Sequence, residues 1–238
     1  MTQSRSAVRR PYASSGESAK RSGRTPLRAT GSFMVTRVRA PSIAHTANVT
    51  VLFADLRGYT AIAERLPAAR LVPLLEEFFQ VLSAATDRYG GRIYHMAGDG
   101  IMAGFGVEAD GGNGAAAGLA AGHAMLKDFA PLAERWKIEL STDAGIGVGL
   151  HLGEVAFGSL GPARRKAATI VGDTVNVAAR LCSRARAGEV LFSCTVAAAL
   201  LNLADASNSM GIPPFLQLPQ FELRGRRGPI DIWCVPAP

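Results

Sequence analysis

The chain switches repeatedly between apolar runs of strand length and longer stretches with helical spacing. Residues 49–54 are apolar and rich in β-branched side chains, end at Asp55 and meet a turn signal at Gly58, the pattern of a buried strand. Across residues 66–89, Leu71, Leu74, Leu75, Phe78, Phe79 and Leu82 recur at three- and four-residue spacing, which predicts a helix ended by Gly90-Gly91. Two short apolar runs, 92–97 and 101–105, flank Gly98-Asp99-Gly100, and Asp-Gly between such runs is a hairpin signal. Residues 111–136 begin as a Gly/Asn loop and become an Ala-rich helix, whose small residues in 111–122 predict a close packing surface. A glycine-spaced strand follows at 144–152 and continues through 154–157. Its Gly145-Ile146-Gly147-Val148-Gly149 segment superficially looks like a dinucleotide loop. With no helix opening after it and no ribose-binding acid in register, it is a strand.

Beyond a basic loop at 161–168, residues 169–171 lead into a helix from about 173 to 186, ended by Gly188. A strand at 189–193 and a short helix from Thr195 come next. Residues 202–220 carry Pro213, Pro214 and Pro219 and are expected to form an irregular loop, with 221–224 and 230–235 closing the chain as a hairpin. The order β-α-β-β-α-β with additions predicts an α+β fold: a ferredoxin-like βαββαβ core with extra C-terminal strands, its helices on one face of a mainly antiparallel sheet.

Composition changes this picture mainly at the N-terminus. A length of 238 residues with 48% hydrophobic content suits one domain with trimmings. The formal charge of +7 is unevenly placed, since residues 1–47 hold nine Lys or Arg and a single acid, Glu17. The remaining residues carry 17 bases and 18 acids, so the pI belongs to the tail. Residues 1–47 are expected to be a disordered basic Ser/Arg-rich tail that contacts acidic partners or surfaces weakly, with residues 48–238 forming the domain. The tail has no continuous apolar segment of a secretory signal; an organellar transit peptide is the alternative its composition leaves. No run approaches the ~18 apolar residues of a transmembrane segment. Cys182, Cys194 and Cys234 are scattered without metal-ligand spacing, which fits a reduced, cytoplasmic setting.

Candidate chemistry centres on Asp55 and Asp99. Each closes or adjoins an apolar strand-like run beside glycine, a placement suited to a divalent cation that must hold a phosphate. If the two runs pair, both carboxylates reach one edge of the sheet and make a two-metal phosphoryl-transfer site. Either aspartate alone would read as a turn residue capping a strand, and for a lone Asp-Gly that is the better reading.

Four segments in order, VTVLFADLRGYT, GGRIYHMAGDGIMAGFG, VGLHLGEVAFGSLG and TIVGDTVNVAARL, resemble the catalytic domain of class III nucleotidyl cyclases, the family of adenylate and guanylate cyclases. The resemblance runs from about Val49 to Val235 and implies the cyclase catalytic fold. It also implies conversion of a nucleoside triphosphate, with ATP preferred, to its 3′,5′-cyclic monophosphate and pyrophosphate. By resemblance Asp55 and Asp99 bind two divalent metal ions, Mg²⁺ or Mn²⁺. Asn176 orients the ribose and Arg180 stabilises charge developing at the α-phosphate. The pair is four residues apart and so shares a helix face. The backbone of Leu56, Arg57, Gly58, Tyr59 and Thr60 is expected to face the phosphates, because a turn leading into a helix offers free N–H groups. Arg164 matches a triphosphate-binding position. Arg226 matches a lysine that grips the terminal phosphates, with Arg224 and Arg227 as competing assignments. Asp173 reads as a favourable dipole partner or cap at the helix N-terminus, not as a catalyst.

Base selection departs from the family pattern. His95 stands where adenylate cyclases of the family carry Lys, and Thr169 at the partner position, whose hydroxyl can accept from the adenine amino group. Guanylate cyclases of the family place Glu and Cys there. A neutral His95 can donate to adenine N1, or serve another base, leaving cyclic GMP or a cyclic pyrimidine nucleotide as alternative products. The resemblance further implies a homodimer, each site taking its metal aspartates from one subunit and its Asn/Arg pair from the other. A reading from another class is a non-catalytic nucleotide- or RNA-binding α+β module using the basic tail. The intact set Asp55, Asp99, Asn176 and Arg180 weighs against it, as does the want of an aromatic-rich strand for stacking bases.

Overall fold

The structure is a computed structural model that describes residues 45–107, 112–162, 164–204, 213–222 and 228–236. Arg224, Arg226, Arg227 and all but the last three residues of the expected tail lie outside the described residues. In chain order the elements are β1 (His45–Arg57), α1 (Tyr59–Arg65), α2 (Ala68–Arg88), β2 (Arg92–Ala97), β3 (Gly100–Phe105), α3 (Gly112–Leu140), β4 (Gly145–Leu160), β5 (Ala167–Val171), α4 (Asp173–Arg184), β6 (Glu189–Ser193), α5 (Cys194–Ala204), β7 (Leu216–Glu222) and β8 (Pro229–Val235).

The eight strands form one sheet in the order β2-β3-β1-β4-β6-β8-β7, with β5 paired to the far half of β4. The four strands β2-β3-β1-β4 are the expected βαββαβ core, and every pairing in the sheet is antiparallel except β4 with β6. β1 is central, pairing with β4 along its whole length and with β3 over Thr50–Asp55. It begins at His45, inside the stretch expected to be tail. The reason is that β4 is long enough to pair with it there, and the His45 ring stacks on Phe157 at 5.8 Å.

Three other expectations are corrected. The hairpin turn is Gly98-Asp99, closed by the pair Ala97–Gly100, one residue earlier than an Asp-Gly turn would sit. Gly98 takes φ 61° at the first central position, which only glycine adopts cheaply there. Residues 216–220, expected in an irregular loop, belong to β7. Pro219 is accepted because β7 is an edge strand whose register shifts between Leu218 and Phe221. The third correction concerns the layers: helices cover both faces. On one face α3 sits close to the sheet, since a Cβ at Gly122 would meet Val148, Val190 and Leu52, and one at Gly118 would meet Leu150, Thr50 and Phe105. This is the close packing predicted for the Gly/Ala stretch. The main core fills this side with Leu52, Phe78, Phe105, Phe129, Trp136 and Leu150.

On the other face lies α4. Adjacent strand residues point to opposite faces, so while Val148 and Leu150 meet α3, Gly147, Gly149 and Gly153 meet α4 or its exit. The glycine spacing of β4 thus has a packing cause: the helix backbone rests where side chains would stand. Gly149 faces the Cys182 amide and the Ala178 carbonyl directly. Substituting Gly149→Ala should therefore destabilise the fold by about 2–3 kcal/mol, the upper range of overpacking costs, measured by chemical denaturation. A melting curve matching the parent would refute this account of the strand.

Candidate active site

Asp55 lies near the end of β1, opposite Gly100 on β3 and opposite Gly147 on β4. Both cross-strand neighbours lack side chains, so the carboxylate has room on either side within an otherwise filled sheet. Asp99 is the second residue of the β2–β3 turn, and its carbonyl accepts from the Leu56 amide at 2.9 Å. The two aspartates are thereby brought together at one end of neighbouring strands. The same bond corrects an expectation: the Leu56 N–H is already engaged and is not a free donor for phosphate. Gly58 caps α1 with φ 88°, and the Asp143 carbonyl lies where its Cβ would be, so both conformation and space call for glycine. Tyr59 and Thr60 open α1, where the first amides have no partner within the helix.

The charge balance at Asp55 is unfavourable in the metal-free chain. Burial pushes its carboxyl pKa up, the nearby Asp99 charge adds to this, and the Arg57 guanidinium partly offsets both. Arg57 was expected to contribute backbone. Its side chain instead pairs with Asp55 through Nη1 and donates from Nε to the Ala185 carbonyl at 3.0 Å and from Nη2 to the Cys182 carbonyl. The signal for this contact was present in the sequence: residues two apart on a strand share a face. Which carbonyls would meet the guanidinium was not. Cys182 is buried, donates to the Gly147 carbonyl at 3.3 Å, and has its thiol pKa pushed up to about 12 by burial.

The carboxylate pair fits a divalent cation. Two adjacent carboxylates, one of them desolvated, hold negative charge that a dication neutralises. Among the described residues no group of three or more His, Cys, Asp or Glu could hold a metal. Water and phosphate oxygens would therefore complete the coordination sphere, as Mg²⁺ prefers.

The remaining predicted positions fall into two groups. His95 is exposed on β2 and pairs across to Met102, in the row that continues to Phe53 and Gly149. This is the face of the sheet that Asp55 occupies. Thr169 is half-buried on β5, opposite Gly158. The chain neighbours of these two residues, Tyr94 and Ile170, pack in one apolar cluster with Val49 and Met102, so both positions border it. Arg164 is exposed in the β4–β5 loop. Asn176 and Arg180 are not brought to the aspartates by this helix face: Thr174, Val177, Ala178, Leu181 and Cys182 are the buried side of α4. Asn176 is exposed and Arg180 half-exposed on the opposite side.

This geometry meets its counterpart in known proteins. Residues 42–233 match the family model for the adenylate and guanylate cyclase catalytic domain. The chain belongs to the adenylate and guanylate cyclase catalytic domain family. The cyclase domain is similar to an adenylate cyclase of Anabaena cylindrica, 34% identical over 146 residues, covering 58% of this chain and 27% of that protein. It is also 34% identical over 139 residues to an uncharacterised protein of Mycobacterium tuberculosis, covering 58% of this chain and 24% of the relative. The chain thus spans about a quarter of the length of these curated relatives. Among solved structures, the adenylyl cyclase CyaB from P. aeruginosa superposes with a TM-score of 0.73 at 28% identity, covering 80% of this chain and 94% of that one. The guanylyl cyclase Cya2 gives 0.69 at 25% identity, covering 80% and 92%. No helix among the described residues is long and apolar enough to cross a membrane.

The raised Asp55 pKa carries a sign for the cyclase domain. A carboxyl whose folded pKa lies above its ordinary 3.8 favours folding fully below that value. This contribution is lost as pH rises through the folded pKa. At neutral pH the ionised Asp55 carboxylate therefore works against the fold. Asp99→Asn should move the Asp55 titration down, as read by carboxyl-carbon NMR. Because the pair is half-exposed and screened, the gain in melting temperature near pH 7 should be only about 1–2 °C. An Asp55 titration unmoved by Asp99→Asn would show that the two carboxylates do not interact.

Proposed function

We propose that the chain cyclises a nucleoside triphosphate, ATP by preference, to the 3′,5′-cyclic monophosphate with release of pyrophosphate, in a homodimer whose two sites are shared between subunits. The observation that carries the reading is the separation of the Asn176/Arg180 side of α4 from the carboxylates. Asp55 and Asp99 converge at one sheet end, while Asn176 and Arg180 stand on the side of α4 turned away from the sheet. A pair so placed serves a site on a second copy better than the one beneath its own helix.

Asp55 and Asp99 would hold two Mg²⁺ or Mn²⁺ ions, which when bound supply Lewis acidity at the ribose 3′-hydroxyl and charge neutralisation at the triphosphate. The ribose 3′ oxygen loses its proton and bonds to the α-phosphorus as the bond from that phosphorus to the pyrophosphate oxygen breaks. Arg180 of the partner subunit balances charge that grows on the α-phosphate, and the partner's Asn176 orients the ribose. Backbone amides of Gly58, Tyr59 and Thr60 face the phosphates, and Arg164 and Arg226 neutralise them. Thr169 favours ATP, its hydroxyl accepting from the adenine amino group while His95 donates to N1. GTP is the second reading, because His95 is not the family lysine and fits no single base.

Incubation of the purified chain with ATP, GTP, CTP and UTP, each with Mg²⁺ or Mn²⁺, should yield cyclic AMP fastest by chromatography. No cyclic product from any of the four would overturn the proposal. Asp55→Ala and Arg180→Ala should each lower turnover at least 100-fold. Mixing the two should restore about a quarter of parental activity, since half the dimers are mixed and each holds one complete site. Mixed dimers that form and remain inactive would rule out shared sites.

A further inference from the structure

All three nitrogens of the Arg57 guanidinium are engaged, with different partners on its two sides. Nη1 pairs with Asp55 Oδ2, while Nε and Nη2 donate to the carbonyls of Ala185 and Cys182. Ala185 is the C-cap of α4, and Cys182 lies in its last turn. Carbonyls at a helix C-terminus carry partial negative charge, so a cation there is favourable, and the Cys182 carbonyl accepts from the guanidinium in addition to the Ala185 amide at 3.0 Å. The guanidinium lies in a slot that exists because residue 147 is glycine. A Cβ at Gly147 would stand 2.6 and 2.7 Å from Nη2 and Nε, and 2.8 Å from the Ala185 carbonyl.

The arrangement also orients the carboxylate. With Oδ2 held by Arg57, Oδ1 is turned toward β3, where a Cβ at Gly100 would come within 3.1 Å of it. Gly100 follows Asp99 in the chain, so the oxygen left open lies on the side of β1 where the turn carrying Asp99 meets β3. Only a planar fork with several donors satisfies the carboxylate and two backbone carbonyls at once, which a lysine ammonium at the end of a flexible stem does not.

We propose that Arg57 is a positioning residue that joins the two half-sites of one chain: it sets Asp55 with one oxygen free toward the turn that carries Asp99, and it pins the last turn of α4, the helix that carries Asn176 and Arg180. The inference rests on the shared-site reading above, in which α4 serves the partner's site. A change at Asp55 in one site then reaches the other site through a single guanidinium.

The metal half of this is read without turnover. Mn²⁺ alone is titrated into the full chain and free Mn²⁺ followed by electron paramagnetic resonance. Arg57→Gln should weaken Mn²⁺ binding about tenfold, the usual scale for losing a group that orients a metal ligand. Arg57→Lys keeps the charge and most of the stem, and should still bind several-fold more weakly than the parent. Gly147→Ala, which leaves Arg57 in the chain but fills its slot, should weaken binding likewise. Parent-like or tighter Mn²⁺ binding by folded Arg57→Lys would overturn the proposal, even if Arg57→Gln fails to fold.

The helix half is read in mixed dimers of Asp55→Ala and Arg180→Ala chains. Arg57→Gln added to the Arg180→Ala chain should raise the Mn²⁺ concentration for half-maximal rate about tenfold. Added to the Asp55→Ala chain, it should lower kcat at least about fivefold with the Mn²⁺ dependence unchanged. No effect in this second arm would overturn the link to α4. A parent chain that binds no Mn²⁺ would sink the proposed function itself; Mn²⁺ binding that ignores Arg57 would sink only this inference.

Discussion

The seating of α4 directly on β4 is the contact on which the site depends. Gly149 lets backbone meet backbone at Ala178 and Cys182, while Gly153 leaves room for the Thr174 side chain and Gly147 for the Arg57 guanidinium and the Ala185 carbonyl. That approach places the last turn of α4 beside the end of β1, within reach of a side chain two residues beyond Asp55. With a bulkier β4 the helix would ride higher, and Arg57 could not touch its carbonyls and Asp55 together. On the opposite face the glycines lie in the helix instead, and Gly118 and Gly122 let α3 settle among Leu52, Val148 and Leu150. The central strands are therefore packed from both sides, which restricts movement of the β1 backbone that carries Asp55.

That rigidity supports an arrangement that would otherwise disfavour itself. Two carboxylates at neighbouring strand ends repel, and burial adds to the cost at Asp55. The fold tolerates this because the apolar core under α2, α3 and α5 is large and contiguous. In the proposed site, cation and triphosphate would supply the favourable contacts that the carboxylate pair lacks. The offset supplied by Arg57 is partial, so the Asp55 carboxyl stays above its ordinary range.

Much of the architecture was legible from periodicity. The β2–β3 hairpin, the α2 helix with its Gly90-Gly91 stop, the close packing of the Ala-rich helix and the bounds of β6 all follow from local pattern. The errors share a cause. Pro219 argued for a loop because a proline cannot donate within a ladder, but an edge strand with a register shift has no donor to miss there. The single-faced helix layer was inferred from element order, which does not say which side of a sheet a helix crosses. The Leu56 amide was taken as free because its partner, the Asp99 carbonyl, is distant in sequence.

Residue identity and spacing alone determined the family, the strand-borne aspartates and the Asn/Arg pair on one helix face, because these rest on local geometry with periods of two and about four residues. The tertiary structure decided which of those groups meet. It put Asp55 beside Asp99 by pairing β1 with β3, and turned Asn176 and Arg180 away by burying the other side of α4. It also made Arg57 a bridge between strand and helix by way of a missing Cβ at Gly147. Contacts of that kind join residues more than a hundred positions apart, and no local period encodes them.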